Sequence, residues 1–221
     1  MSGQGLTPAV EPRKPPAWKV AAATIGSFVA LLYVIEAYDA VTRQSLDGDG
    51  IRPWTLDGLW GILWAPLLHG SWEHLWANTV PALVLGFFVA LTGISRFLGA
   101  TAIIWLLGGF GTWLIGNLGP CPDGATHIGA SGLIFGWLTF LLVFGWLVRK
   151  AWQIVVSVLV LLAYGGVLWG ALPELDRCTL VSWQGHLSGA IAGIVAAYVV
   201  SGPERRSRAL RRAGGPSGLT A

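Results

Sequence analysis

Charge is scarce in this chain. Of 221 residues, 11% are Asp, Glu, Lys or Arg, less than half the roughly 25% typical of soluble domains. Hydrophobic residues make up 54% and fall in long runs, not alternating patterns. That excludes an ordinary soluble domain and makes this an integral membrane protein. Cysteine is nearly absent: Cys121 and Cys178 are the only two, too few for a disulfide-dense scaffold or a four-cysteine metal site. No HExxH occurs, and His69 and His74 stand five apart, off one helical face, so a metalloprotease site is not indicated. The net charge of +3 is small, and the basic residues collect at chain ends and in short loops, which leaves nucleic acid without support as a partner. No cofactor is expected. Residues 1–16 have no apolar core of their own and do not read as a signal peptide.

What the chain does contain is six apolar segments. They are expected at Trp18 to Tyr38, His74 to Thr92, Phe97 to Gly116, Ser131 to Val148, Ala151 to Leu172 and Ser182 to Val200. Each is close to the roughly 20 residues that cross a bilayer. Between the first two lies a long loop, Asp39 to Glu73, whose Trp60, Trp64 and Trp72 suit the membrane interface. The expected organisation is a flexible tail over 1–17, a six-helix domain over 18–201 and a basic, disordered tail over 202–221. Six crossings put both termini on one side. With that side cytosolic, Arg13, Lys14, Lys19, Arg96, Arg149, Lys150 and the five tail arginines lie inside, and only Arg43, Arg52 and Arg177 outside. This satisfies the positive-inside rule and predicts a plasma-membrane protein with cytosolic termini.

The basic residues also mark depth. Arg149 lies 18 positions beyond Ser131, Arg205 19 beyond His186 and Arg96 18 beyond Asn78. At a 1.5 Å rise, all three polar residues sit about 27–28 Å from their marker, at one level in the outer half of the membrane. His74, one turn before Asn78, sits slightly higher. A lone membrane serine is ordinarily a packing residue, as Ser157 and Ser188 are read, but intramembrane His and Asn point to function. Gly185, Gly189 and Gly193 form a small-residue stripe beside His186, and Gly132 and Gly136 form one beside Ser131, so two helices can approach closely there. The Gly108–Gly111 cluster reads as ordinary membrane packing.

Three motifs in order now resemble a known family. His69 and His74, followed by Asn78, are similar to an H-x-x-x-x-H-x-x-x-N motif; Gly129-Ala130-Ser131-Gly132 is similar to G-x-S-G; and Gly185-His186 precedes Gly189 and Gly193. Over roughly residues 18–200 the chain resembles the rhomboid intramembrane serine proteases in their compact six-helix bacterial form. The resemblance implies an all-α bundle of six transmembrane helices that cleaves transmembrane protein substrates within the lipid bilayer. Ser131 would be the nucleophile and His186 the general base and acid, without a third acidic residue. His74, Asn78 and the Ser131 backbone N–H would hold the oxyanion, and Gly129 would let the loop approach the site. Gly132, Phe135, Gly185 and Gly189 would support it, with Phe135 packed on the catalytic histidine. The site would open to the outside, gated by the end of the fifth helix and loop 173–181.

Relatives often carry Trp-Arg in the first loop, where this chain has Trp60-Gly61, and an acidic residue after the second helix, where none stands near Ser95-Arg96. Both cysteines fall in outward loops, and a disulfide or two free thiols are both open. His127 reads as a residue lining the mouth and His69 as a structural hydrogen-bonder. Two alternatives stand beside the protease: a rhomboid pseudoprotease acting as a membrane chaperone, and, from another class, a small transporter. The first normally lacks Ser or His; the second calls for paired midplane ionisable residues and symmetric broken helices.

Overall fold

The computed structural model describes residues 15–119, 125–174 and 181–213. Among these, α1 (Ala17–Val41), α2 (Leu56–Trp64), α3 (Trp72–Leu91), α4 (Ile94–Ile115), α5 (Ser131–Val148), α6 (Ala151–Tyr164), α7 (Trp183–Val200) and α8 (Gly202–Ala213) follow in order. A 3₁₀ segment, Gly165–Ala171, continues α6. Six spans are long and apolar enough to cross a membrane: α1, α3, α4, α5, α6 with its 3₁₀ extension, and α7. The expected all-α, multi-pass architecture is present.

Helix α5 is the centre of the bundle. Of its span 67% is buried, against 17% for Ala151–Ala171, so α5 is enclosed by its neighbours while α6 lies at the periphery. Trp137, Phe140 and Phe144 are its largest fully buried side chains. The Trp137 indole donates to the Thr101 hydroxyl at 3.0 Å and stands between Phe28 and Phe97. The helix stops where Arg149 turns left-handed at φ 57°, its N–H donating to the Gly145 carbonyl at 2.9 Å. Both boundaries agree with the sequence reading.

The closest helix approach is between α5 and α7, and glycine permits it. A Cβ on Gly189 would run into the Gly132 backbone, and one on Gly193 into the Gly136 backbone. Helix α4 packs against α7 at the same level, where Gly108 meets Gly189 and Gly111 meets Ser188. Ser188 and Ser157 act in packing: the Ser157 hydroxyl lies 2.6 Å from the Leu141 carbonyl of α5.

Two expectations are corrected. The first loop carries a helix, α2, started by Thr55, whose hydroxyl accepts from the Gly58 N–H at 3.0 Å. Three indoles fasten it to α4: Trp105 donates to the Ile62 carbonyl at 2.7 Å, Trp113 to that of Thr55 at 2.9 Å, and Trp54 to that of Leu114 at 2.9 Å. Thus the loop docks without a Trp-Arg pair. Residues 202–213, expected as disordered tail, form α8. It is held by the Arg96–Glu204 ion pair, by Arg205 over the Tyr198 ring at 3.7 Å and by Arg208 donating to the Leu147 carbonyl. Arg96 therefore finds its acid on α8. The N-terminal tail over 1–14, Cys121, Cys178 and most of the proposed gating loop lie outside the described residues, as does any disulfide.

Candidate active site

The site forms where the N-terminal ends of α3, α5 and α7 converge. Ser131 is the first residue of α5, His186 the fourth of α7, and His74 and Asn78 lie in the first two turns of α3. Helix N-termini carry partial positive charge, which favours an anion placed among them. Two of the three are capped. Ser71 accepts from the His74 N–H at 3.2 Å and Ser182 from the Gly185 N–H at 3.0 Å. Helix α5 follows Ala130 and has no side-chain cap. The helix bearing Ser131 thus keeps its first N–H groups free of a side-chain cap, the arrangement an oxyanion site needs.

The segment leading to Ser131 is pinned on several sides. Ile51 and His127 form an antiparallel bridge, with N–H to carbonyl distances of 3.0 and 2.9 Å. The Gly129 N–H donates to the Ala65 carbonyl at 2.8 Å, and the Ala130 N–H to His69 Nε2 at 3.4 Å. Gly129 has φ +118°, and a Cβ there would lie 2.6 Å from His74 Cε1. Only glycine lets the chain turn this way against that ring.

His69 is a structural hydrogen-bonder, as the sequence indicated. Burial, with the neighbouring His74 ring adding to it and the Leu67 carbonyl opposing, lowers its pKa to about 4. The neutral ring accepts at Nε2, and its Nδ1 faces Leu67 short of full hydrogen-bond geometry. His127 Nδ1 lies 2.7 Å from the Ser182 hydroxyl, joining the loop before Ser131 to the cap of α7. Burial pushes this imidazole down too, with the Gly116 carbonyl opposing. A cavity bordered by His127, Gly132, Thr112 and Ser182 reaches Ser131.

His186 is buried, with 8% exposed. Phe135 stacks on it at 4.1 Å between ring centroids and 9° between planes, and Nδ1 lies 2.9 Å from the Gly170 carbonyl. Gly132 and Gly185 adjoin across the helix contact, a Cβ on Gly132 lying 3.4 Å from the Gly185 carbonyl oxygen. Ser131 and His186 are therefore flanked by contacts on both sides, yet among the described residues no direct hydrogen bond joins them. Catalytic hydrogen bonds are often long without substrate and tighten on binding. Asn78 is buried, and one of its amide N–H groups donates to the His74 carbonyl at 3.1 Å, leaving the second for another acceptor. Gly170 was not found by sequence reasoning: a glycine in an apolar segment gives no sign that its carbonyl meets a histidine on another helix.

The rhomboid domain model matches residues 56–203, a stretch that runs from α2 through Ser131 to His186. The chain belongs to the rhomboid family. An uncharacterized protein of Mycobacterium tuberculosis is 60% identical to it over 217 residues, covering 98% of this chain and 90% of the relative. One from Mycobacterium leprae is 57% identical over 210 residues, covering 95% and 83%. A Rhomboid-like protease 5 of Toxoplasma gondii is 31% identical over 142 residues, 61% of this chain and 15% of that one. With six apolar spans, this rhomboid is a multi-pass membrane protein.

Proposed function

We propose that this protein is an intramembrane serine endopeptidase, hydrolysing peptide bonds in or near the transmembrane segments of single-span substrates. The observation that carries this reading is Ser131 at the uncapped N-terminus of α5, in a helix pressed by glycine against the helix of a buried, oriented histidine. The Ser131 hydroxyl adds to the scissile carbonyl while His186 Nε2 takes its proton. The tetrahedral oxyanion is received by the Ser131 N–H, His74 and the free Asn78 amide N–H. On collapse the C–N bond breaks, and the imidazolium returns the proton to the leaving amine. Water, activated by the same ring, then hydrolyses the acyl-enzyme and frees Ser131. The cationic loop pattern favours cytosolic termini in the plasma membrane, with the site facing outward.

The missing Ser131–His186 hydrogen bond favours a second reading, a non-catalytic rhomboid that binds transmembrane helices. A fluorophosphonate probe separates the two. Labelling of the wild type that is lost in Ser131→Ala and strongly slowed in His186→Ala supports the hydrolase. An unlabelled wild type, with reactive soluble serine hydrolases as controls, contradicts it.

A further inference from the structure

Besides Phe135, His186 has a partner that is not a side chain. Its Nδ1 lies 2.9 Å from the main-chain oxygen of Gly170. A carbonyl oxygen can only accept, so Nδ1 carries the proton, and the neutral ring holds its free lone pair on Nε2. In serine hydrolases with a full triad, an acidic residue imposes that same tautomer. Phe135, stacked at 9°, sets the plane of the ring, and the Gly170 carbonyl sets which nitrogen is protonated.

The position of Gly170 gives this bond a further meaning. It lies in the 3₁₀ segment Gly165–Ala171, the continuation of α6, and the most apolar 18-residue stretch of Ala151–Ala171 is only 17% buried. This is the span least enclosed by the bundle, and its end touches the base. A Cβ at Gly170 would stand 3.4 Å from Phe135 Cζ and 3.5 Å from His186 Nδ1, ordinary contact distances, so the carbonyl and not the lack of a side chain is what matters there.

We propose that the Gly170 carbonyl is the positioning group of His186, fixing its Nδ1–H tautomer from the 3₁₀ segment packed against α7. Its catalytic meaning rests on the hydrolase reading above; the tautomer does not.

The test is ¹⁵N NMR of the full-length, histidine-labelled protein in micelles, with the His186 signals assigned by comparison with His186→Gln. Lactic acid in place of Ala171 converts the 170–171 peptide to an ester, whose carbonyl is a weaker acceptor. The control is 2-hydroxyisocaproic acid in place of Leu172. It removes the Leu172 N–H bond to Trp169, 3.1 Å in the native chain, but leaves the Gly170 carbonyl an amide. The wild type, Gly170→Ala and the control are expected to show the Nδ1–H form alone. The Ala171 ester is expected to show both tautomers and a kcat about tenfold lower at unchanged KM, the scale of one weakened hydrogen bond. An Nε2–H form dominant in the wild type would overturn the proposal, as would tautomer mixing no greater in the Ala171 ester than in the control. The spectra need no substrate, so an absence of cleavage counts against the hydrolase reading and leaves the tautomer assignment to be judged by the signals.

Discussion

The Phe135 ring lies flat on the His186 ring, 4.1 Å away, one helical turn beyond Ser131 on α5. Ser131 and His186, the proposed nucleophile and base, are therefore referenced to the same helix: one is carried by α5 and the other rests on it. Aromatic pairs contribute about 0.5–1.5 kcal/mol beyond simple burial. Phe135→Leu should lower kcat by roughly threefold to tenfold on that scale, with Phe135→Tyr close to wild type. Equal losses in the two variants, measured on one reporter substrate, would show that stacking is not what orients the base.

Under the proposed function, His74 and Asn78 act on the oxyanion and so only in the transition state. Asn78→Ala and His74→Ala should each reduce kcat by about 10²–10³-fold, the usual cost of one donor, with KM little changed. A rise in KM at constant kcat would place these residues in substrate binding instead.

His69 links stability to pH. Its folded pKa of about 4 lies below the ordinary imidazole value of 6.5, so between these limits the unfolded chain binds a proton that the folded chain refuses. Stability should therefore fall as pH drops from 6.5 to 4, by ~3 kcal/mol if the full shift is expressed. Unfolding in detergent across this window should show the decline, and His69→Gln should flatten it. An unchanged slope in the variant would assign the decline to another group.

The α5–α7 contact leaves no room for a side chain at Gly189. Gly189→Ala should cost about 1–3 kcal/mol through overpacking, read as a lower melting temperature in detergent. Gly166→Ala, where nothing lies within 4 Å, should leave it unchanged. A Gly189→Ala protein as stable as the wild type would mean that the two helices can separate without penalty.

What the sequence discloses about this molecule follows from how local each feature is. Helix α5 is legible at both ends because the change from loop to apolar run occurs at Ser131 and the basic pair begins at Arg149. The grouping of Ser131, His186, His74 and Asn78 at converging helix starts is legible because helical rise converts spacing into depth. Helix α2 is hidden because its tryptophans and leucines suit an interfacial loop equally well, and the carbonyls that Trp105 and Trp113 bond are visible only in the fold. Helix α8 is hidden because five arginines in a short stretch look like a solvated tail, while its docking on Arg96, Tyr198 and Leu147 is tertiary. The Gly170–His186 bond is of the same kind: a main-chain acceptor has no residue type to betray it.

The central claim is that Ser131 and His186 hydrolyse a peptide bond together. Its most direct test is cleavage of a single-span reporter with a helix-destabilised transmembrane segment, in detergent and then in proteoliposomes, by wild type, Ser131→Ala and His186→Ala. One cleavage product is expected from the wild type, with formation abolished in both variants at equal protein and equal fold. Cleavage that persists in Ser131→Ala would contradict it.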